Sequence, residues 1–291
     1  MSDPFDLGNT DAYLRWREHK LAHAIIDPDE LIVEIANPNS LTGAEHAALV
    51  SRIQRSNMAV YATPAEMDER TVQRFGAQFG LERLDANWLA GEQGVTRITV
   101  CNDDGLRQAY IPYTDRAIKW HTDGYYNPPE RQIRGMLLHC AQRAGVGGEN
   151  RVMDHEIAYL MLRDANADFI RALSAPDAMT IPARTDEQGV ARAAQTGPVF
   201  SVDTISGALH MRYTARTRSI EWKQDETTLA AVAQLEQFLA AESPHIQSLQ
   251  LENGMGLLCN NVLHDRTAFT DDPDKPRLLY RARYLDRIAT V

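Results

Sequence analysis

Three residues carry the chemistry this sequence could perform. His121 and Asp123 stand two apart in Trp120-His121-Thr122-Asp123-Gly124-Tyr125-Tyr126-Asn127-Pro128, and His264 sits in Asn260-Asn261-Val262-Leu263-His264-Asp265-Arg266. In an extended strand, side chains two apart share a face, so the spacing predicts that His121 and Asp123 project together. A neutral imidazole beside a carboxylate supplies two donors of a two-His, one-carboxylate facial site, the set that holds non-haem Fe(II) with positions left open. His264, just past an apolar strand, offers the third donor. Taken singly, each also has a plain structural reading: His-x-Asp as a polar strand face, His264 as a loop histidine.

A second group follows. The run Arg277-Leu278-Leu279-Tyr280-Arg281-Ala282-Arg283-Tyr284-Leu285 reads as a strand. Alternation puts Arg277, Leu279, Arg281 and Arg283 on one face and Leu278, Tyr280, Ala282 and Tyr284 on the other. Guanidinium groups crowded on an inner strand face repel one another unless anions sit between them. Arginine is also the side chain best suited to bidentate capture of a carboxylate. A dicarboxylate cosubstrate would supply such an anion. The alternative is an exposed edge strand with solvated arginines, Arg283 in particular.

These groups need a scaffold, and the remaining pattern indicates one. Residues 11–24 read as an amphipathic helix and 31–35 as a short strand. Thr42 with Glu45 has capping-box spacing before a helix that buries Leu49, Val50 and Ile53. A strand over 58–63 is followed by a helix start at Thr63-Pro64-Ala65-Glu66, with Pro at the first helical position, and Val72, Phe75 and Phe79 as its buried stripe up to Gly80. From there short strands and turns dominate: 95–101, a turn at Asn102-Asp103-Asp104-Gly105, 106–110, 118–123, 133–141, a tight turn at Gly145-Val146-Gly147-Gly148, and 152–153. Asp154 and Asp225 cap helices, the second with Leu229, Val232, Leu235 and Leu239 inward. Pro198–Asp203 and Ala208–Tyr213 form a hairpin across Ser206-Gly207. Strands over 246–251, 255–260 and 278–285 close the chain. The expected class is α+β: a double-stranded β-helix, or jelly-roll, barrel with flanking N-terminal helices and inserted helices. The expected organisation is a single domain over 1–291, with a helix-rich part over 1–83 and the jelly-roll core, with helical insertions, over 84–291.

Composition narrows the function. The 291 residues are 44% hydrophobic and 24% charged, ordinary for a globular protein. Thirty basic against forty acidic side chains give −10, which excludes the basic footprint of a nucleic-acid binder but not a local basic pocket for a small acid. No apolar run reaches the roughly 20 residues of a membrane span, and the acidic Met1–Asp6 start lacks the apolar core of a signal peptide. A cytoplasmic protein with a small-molecule substrate is expected. Cys101, Cys140 and Cys259 lie far apart without a Cys-x-x-Cys pair, as expected of reduced buried thiols and not of a cysteine zinc site.

His121-x-Asp123, His264 and Arg277-x-x-x-Arg281, with the Gly147-Gly148 turn, together resemble the Fe(II)/2-oxoglutarate oxygenases of the taurine dioxygenase (TauD/TfdA) family. The resemblance runs from about Leu84 to Leu285. Two stretches are most similar to its glutarate 2-hydroxylase (CsiD) branch: Leu84-Asp85-Ala86 through Tyr125, and Gly256-Leu257-Leu258-Cys259-Asn260-Asn261 through Arg266. The resemblance implies Fe(II) on His121, Asp123 and His264, with no catalytic side chain beyond the metal ligands. It implies that Arg277 meets the distal carboxylate of 2-oxoglutarate, with Arg281 beside it on cosubstrate or on an acidic substrate. Arg283, Tyr125 and Tyr213 are further substrate candidates. Where the family often places Thr or Ser after the Gly-Gly turn, this chain has Glu149-Asn150, so Asn150 would donate its amide instead. Asp123 is intact, so hydroxylation or a similar oxidation by O2, with release of succinate and CO2, is expected and halide transfer is not. Related enzymes often assemble as dimers or tetramers. Two rivals stand at this point: a barrel that senses a small acid or metal without turnover, and a zinc hydrolase, for which no general base is evident. Among the other histidines, His139 reads as a core residue, His155 as exposed in a first helical turn, and His210 as a hairpin residue without an assigned role.

Overall fold

The structure is a computed structural model that describes residues 3–85, 94–100, 111–186, 189–218 and 220–289. The expectations for Cys101, the 102–105 turn and the 106–110 strand lie outside the described residues, as does Ala86.

In chain order the elements are α1 (Thr10–Ala22), β1 (Ile32–Glu34), α2 (Gly43–Ser56), β2 (Met58–Ala62), α3 (Glu69–Ala77), β3 (Thr96–Ile98), β4 (Ile118–His121), β5 (Gly135–Gln142), β6 (Val146–Gly147), β7 (Asn150–Met153), α4 (His155–Ala165) and α5 (Ala167–Leu173). They continue with β8 (Met179–Ile181), β9 (Arg184–Asp186), β10 (Gly189–Arg192), β11 (Gln195–Gly197), β12 (Phe200–Val202), β13 (Leu209–Met211), β14 (Glu221–Trp222), α6 (Glu226–Ala240), β15 (Ile246–Leu249), β16 (Met255–Cys259), β17 (Leu263–Arg266), β18 (Phe269–Thr270) and β19 (Leu278–Tyr284).

Two sheets build the barrel. The larger runs β1-β2-β16-β5-β19-β3, parallel at β1–β2 and antiparallel elsewhere; the smaller runs β15-β7-β17-β4, all antiparallel. Strand alternation sorts the side chains of the larger sheet. Met136 and Leu138 of β5, Leu257 of β16 and Leu279 of β19 face Val152 of β7 and Leu249 of β15 across the barrel interior. Their neighbours Leu137, Leu258, Tyr280, Ala282 and Tyr284 turn outward onto Leu49 and Ile53 of α2, Val72 and Phe75 of α3, and Phe79 just past it. Each fully buried Leu or Phe contributes about 1.5–3 kcal/mol, so both faces of this sheet hold the wall that carries the arginines. The interior face of β19 is therefore the face bearing Arg281 and Arg283, as the alternation predicted. A third apolar cluster gathers α4, α5, α6 and the short strands β8 and β12–β14 around Tyr159, Leu162 and Leu235, with Phe5 and Trp16 packed against it.

The double-stranded β-helix and its flanking helices agree with the expectation; several local details differ. α2 opens on the full Thr42/Glu45 capping box. α3 begins at Glu69 and not after Thr63, because the Asp68 carboxylate accepts from the Thr71 N–H and caps it there. Leu229 lies on the solvent side of α6, 42% exposed. His155 is buried, its Nε2 against the Leu209 carbonyl at 3.1 Å. His139 is a core residue hydrogen-bonded to the Tyr61 hydroxyl at 3.1 Å. Cys140 and Cys259 are free, buried thiols. No helix among the described residues is long and apolar enough to cross a membrane.

Candidate active site

β4 and β17 are antiparallel partners with His121 directly opposite His264, so the two imidazoles project from neighbouring strands on one face. Their ring centroids are 4.2 Å apart. His264 sits within β17 and not in the loop that its sequence context indicated. The strand β4 ends at His121. Asp123 therefore reaches the imidazoles from a turn, where Gly124 at φ +69 reverses the chain, and simple strand alternation does not place it. The donor atoms of His121, Asp123 and His264 lie within 4.8 Å of one another.

The tautomers follow from local hydrogen bonds. His121 Nδ1 donates to the Lys119 carbonyl at 2.9 Å and His264 Nδ1 to the Val262 carbonyl at 3.0 Å. Each ring thus keeps its Nε2 lone pair for a Lewis acid, the arrangement typical of a metal-ligating histidine with its other nitrogen pinned. Burial, then the neighbouring His264 ring, push the His121 pKa down to about 3 against the pull of Asp123, which keeps it neutral. Burial works to raise the Asp123 pKa, but Arg281 and Arg283 outweigh it and hold the carboxyl well below its ordinary range. Asp123 Oδ1 accepts from Arg281 Nη1 at 3.2 Å, while Oδ2 is buried without a hydrogen-bond partner. Two free imidazole nitrogens and an orphaned carboxylate oxygen meeting at one point fit a divalent cation.

A cleft opens from this cluster. Ile98, Met136, Leu138 and Leu279 supply its apolar wall, and Asn150, Arg266, Arg277 and Arg281 its polar groups. Arg277 is 4% exposed. Its guanidinium makes no hydrogen bond or ion pair with a described side chain, its carbon lies 4.9 Å from the Phe269 ring centroid, and burial lowers its pKa. Asp271 acts on it from beyond salt-bridge distance, and a buried cation with no ion-pair partner among the described residues is costly, so this end of the cleft fits an anion. Gly148, at φ +78, brings the turn against it; a Cβ there would lie 3.6 Å from Arg277 Nε.

The other sequence candidates divide. Arg281 lines the cleft beside Asp123 with Nε buried and unpartnered. Asn150 also lines it; its Nδ2 spends one N–H on the Asp265 carbonyl at 2.9 Å and retains the other. Tyr125 is a buried core residue that does not line the cleft, its ring 6.4 Å from that of His121. Arg283 is spent within the chain: Nη1 donates to the Tyr126 hydroxyl at 2.8 Å and Nη2 to Asp85 at 2.6 Å. The Tyr213 ring packs into the cluster under the inserted helices, 6.3 Å from Trp222, and only its backbone, paired with Thr122, touches the metal turn.

Sequence reasoning gave no role to Arg266. It lies two residues past His264, and its guanidinium is 4.7 Å from the Phe269 ring that Arg277 also faces. Its Nη2 donates to the Thr114 and Arg116 carbonyls, and burial, then Arg277, lower its pKa to about 9. The signal was the i, i+2 spacing from His264.

A jelly roll carrying a two-His, one-Asp cluster at one end of a cationic cleft defines a non-haem Fe(II)/2-oxoglutarate-dependent dioxygenase. The sequence matches the taurine catabolism dioxygenase TauD, TfdA family over residues 26–283, and the chain belongs to that family. A uridine-5'-phosphate dioxygenase from Streptomyces sp is 27% identical over 230 residues, 73% of this chain and 78% of that protein. Among solved structures, AAD-2 in complex with Mn(II) and N-oxalylglycine superposes with a TM-score of 0.61 at 14% identity, covering 89% of this chain and 96% of its own. An asparagine oxygenase in complex with Fe(II), 3-hydroxyasparagine and succinate gives 0.59 at 15% identity, covering 83% and 79%. A taurine dioxygenase from Burkholderia xenovorans gives 0.57 at 18%, covering 86% and 87%. At these identities the structural likeness concerns the fold.

Proposed function

We propose that the chain holds Fe(II) on His121, Asp123 and His264, receives the distal carboxylate of 2-oxoglutarate on Arg277, and hydroxylates or otherwise oxidises a small polar metabolite bearing a carboxylate or amino group. The observation that carries this reading is Arg277: a buried guanidinium with no hydrogen-bond or ion-pair partner among the described residues, in a cleft that also contains both imidazoles. The metal with its 2-oxo acid and O2 supplies the oxidising power, and succinate and CO2 are the co-products.

The chain's own residues do the rest. Arg277 presents two parallel N–H donors to one carboxylate, and the free N–H of Asn150 offers a further hydrogen bond. Ile98, Met136, Leu138 and Leu279 keep water from the cosubstrate. Arg281, ion-paired to Asp123 with Nε to spare, marks the side from which an anionic group of the substrate approaches. Arg283 acts at one remove by holding Tyr126 and Asp85. The named activity of the Streptomyces relative extends the substrates worth testing to phosphate esters.

The test is succinate formation from 2-oxoglutarate with and without Fe(II), against a panel of amino acids, small dicarboxylates and uridine 5'-phosphate. The expected result is iron-dependent succinate release that rises with one class of substrate and matches product one for one. Absence of both 2-oxoglutarate binding and iron-dependent turnover across the panel would overturn the reading.

A further inference from the structure

Asn261 sits in the turn between β16 and β17, three residues before His264, and adopts the left-handed conformation at φ 53. It is 2% exposed. Its side-chain amide makes three hydrogen bonds. Oδ1 accepts from the Asp123 N–H at 2.7 Å, and Nδ2 donates to the Asp123 carbonyl at 2.9 Å and the Ile133 carbonyl at 2.7 Å. The pattern admits one orientation, since a flipped amide would set its oxygen against two carbonyls.

The location matters because β4 ends at His121. The sheet ladder positions His121 against His264, and Thr122 is held by Tyr213. Asp123 has no strand partner; its peptide N–H and C=O both go to Asn261.

We propose that Asn261 is a positioning residue for Asp123: it brackets the main chain there so that the carboxylate faces the two imidazoles, and it ties that carboxylate to the same segment that delivers His264. The inference rests on the metal-site reading above and adds to it the residue that makes the three donors one rigid set. The adjacent Asn260 serves as contrast. Its amide joins Asn57 Oδ1 at 3.1 Å and the Ile288 N–H at 3.1 Å, away from Asp123.

The experiment titrates Co(II), a spectroscopic stand-in for Fe(II), into the full chain and reads affinity and visible ligand-field bands. Asn261→Gly keeps the left-handed backbone accessible while removing the amide. It is expected to fold, with Co(II) affinity reduced about 10–100-fold, the range for residues that orient a metal ligand, and with altered bands. Asn261→Asp keeps the acceptor for the Asp123 N–H and removes both donors; the same loss is expected. Asn260→Ala is expected to lower Tm and leave Co(II) affinity and bands unchanged, which a purely structural role for Asn261 would also produce. Wild-type uptake of Co(II) with Asn261→Gly matching it within threefold and showing identical bands overturns the inference alone. Failure of both Asn261 variants to fold makes the amide a fold determinant and overturns it too. No Co(II) uptake by wild type sinks the metal-site reading, and this inference with it.

Discussion

Replacing Arg277 with leucine separates cosubstrate capture from folding. The guanidinium is 4% exposed, pairs with no described side chain and has its pKa lowered by burial. Among the described residues it has no ion-pair partner, Asp271 acting on it only from beyond salt-bridge distance, so an apolar side chain of similar bulk beside Phe269 and Leu279 should leave stability unchanged or raise it. Toward 2-oxoglutarate the effect is opposite. Two charge-assisted hydrogen bonds at about 1.5–3 kcal/mol each are lost, about 3–6 kcal/mol together, which at about 1.4 kcal/mol per tenfold is about 10²–10⁴ in affinity. Arg277→Lys restores the charge as a point cation without the planar fork and should recover part of that loss. The assay is calorimetric binding of 2-oxoglutarate to Mn(II)-loaded protein under nitrogen, paired with thermal unfolding of the metal-free variant. Affinity within threefold of wild type would refute the reasoning and move the carboxylate to Arg266, the other guanidinium against Phe269. So would a loss of more than about 2 kcal/mol of stability, since it would mean that Arg277 has a structural partner after all.

Other perturbations follow from the same packing. Burial lowers the pKa of His121 and His210 to about 3 and of His139 to about 4. Each folded-state value lies below the unfolded one near 6.5, so the unfolded chain takes up protons that the folded chain refuses. The stability these groups give is complete above about pH 6.5 and drains away as pH falls toward 3; urea midpoints of metal-free protein at pH 7.5, 5.5 and 4.5 should fall in that order, and equal midpoints would contradict it. Lys20 is buried against Asp154 at 2.6 Å and Glu156 at 2.5 Å. Lys20→Met leaves Asp154 without its cation and should cost about 3–5 kcal/mol, read as a lower denaturant midpoint with an unchanged slope. Gly124 sits at φ +69, and a Cβ there would come within 2.4 Å of Ile133 Cγ1. Gly124→Ala should therefore destabilise by about 1–3 kcal/mol and weaken metal binding through Asp123, with Ile133→Ala in the same background restoring part of both.

How much was legible depended on how local each feature is. The capping box at Thr42/Glu45 and the caps at Asp154 and Asp225 were readable because a cap is a contact over two or three residues. The start of α3 was misplaced because two capping signals competed, Thr63-Pro64 and Asp68, and only the backbone path decides between them. The short strands β8–β11 and β14 went unread, since two to four residues carry too little periodicity to register. His155 read as exposed from its place in a first helical turn; the β12–β13 hairpin that buries it is more than forty residues away.

By itself the sequence determined the candidate donors and the charge pattern. His121, Asp123 and His264 are matters of residue type, Arg281 and Arg283 of β19 are matters of period, and an inward face on a two-sided strand follows from alternation once its neighbours are apolar. Only the tertiary structure decided which of those groups remain available. Arg283 lies in β19 and Arg277 just before it, yet Asp85 and Tyr126 consume one and nothing described consumes the other. Asp123 reaches the imidazoles through a turn held by Asn261, a partner 138 positions away. Availability is a property of hydrogen-bond partners and burial, and those are set by chain segments that meet only when the barrel closes.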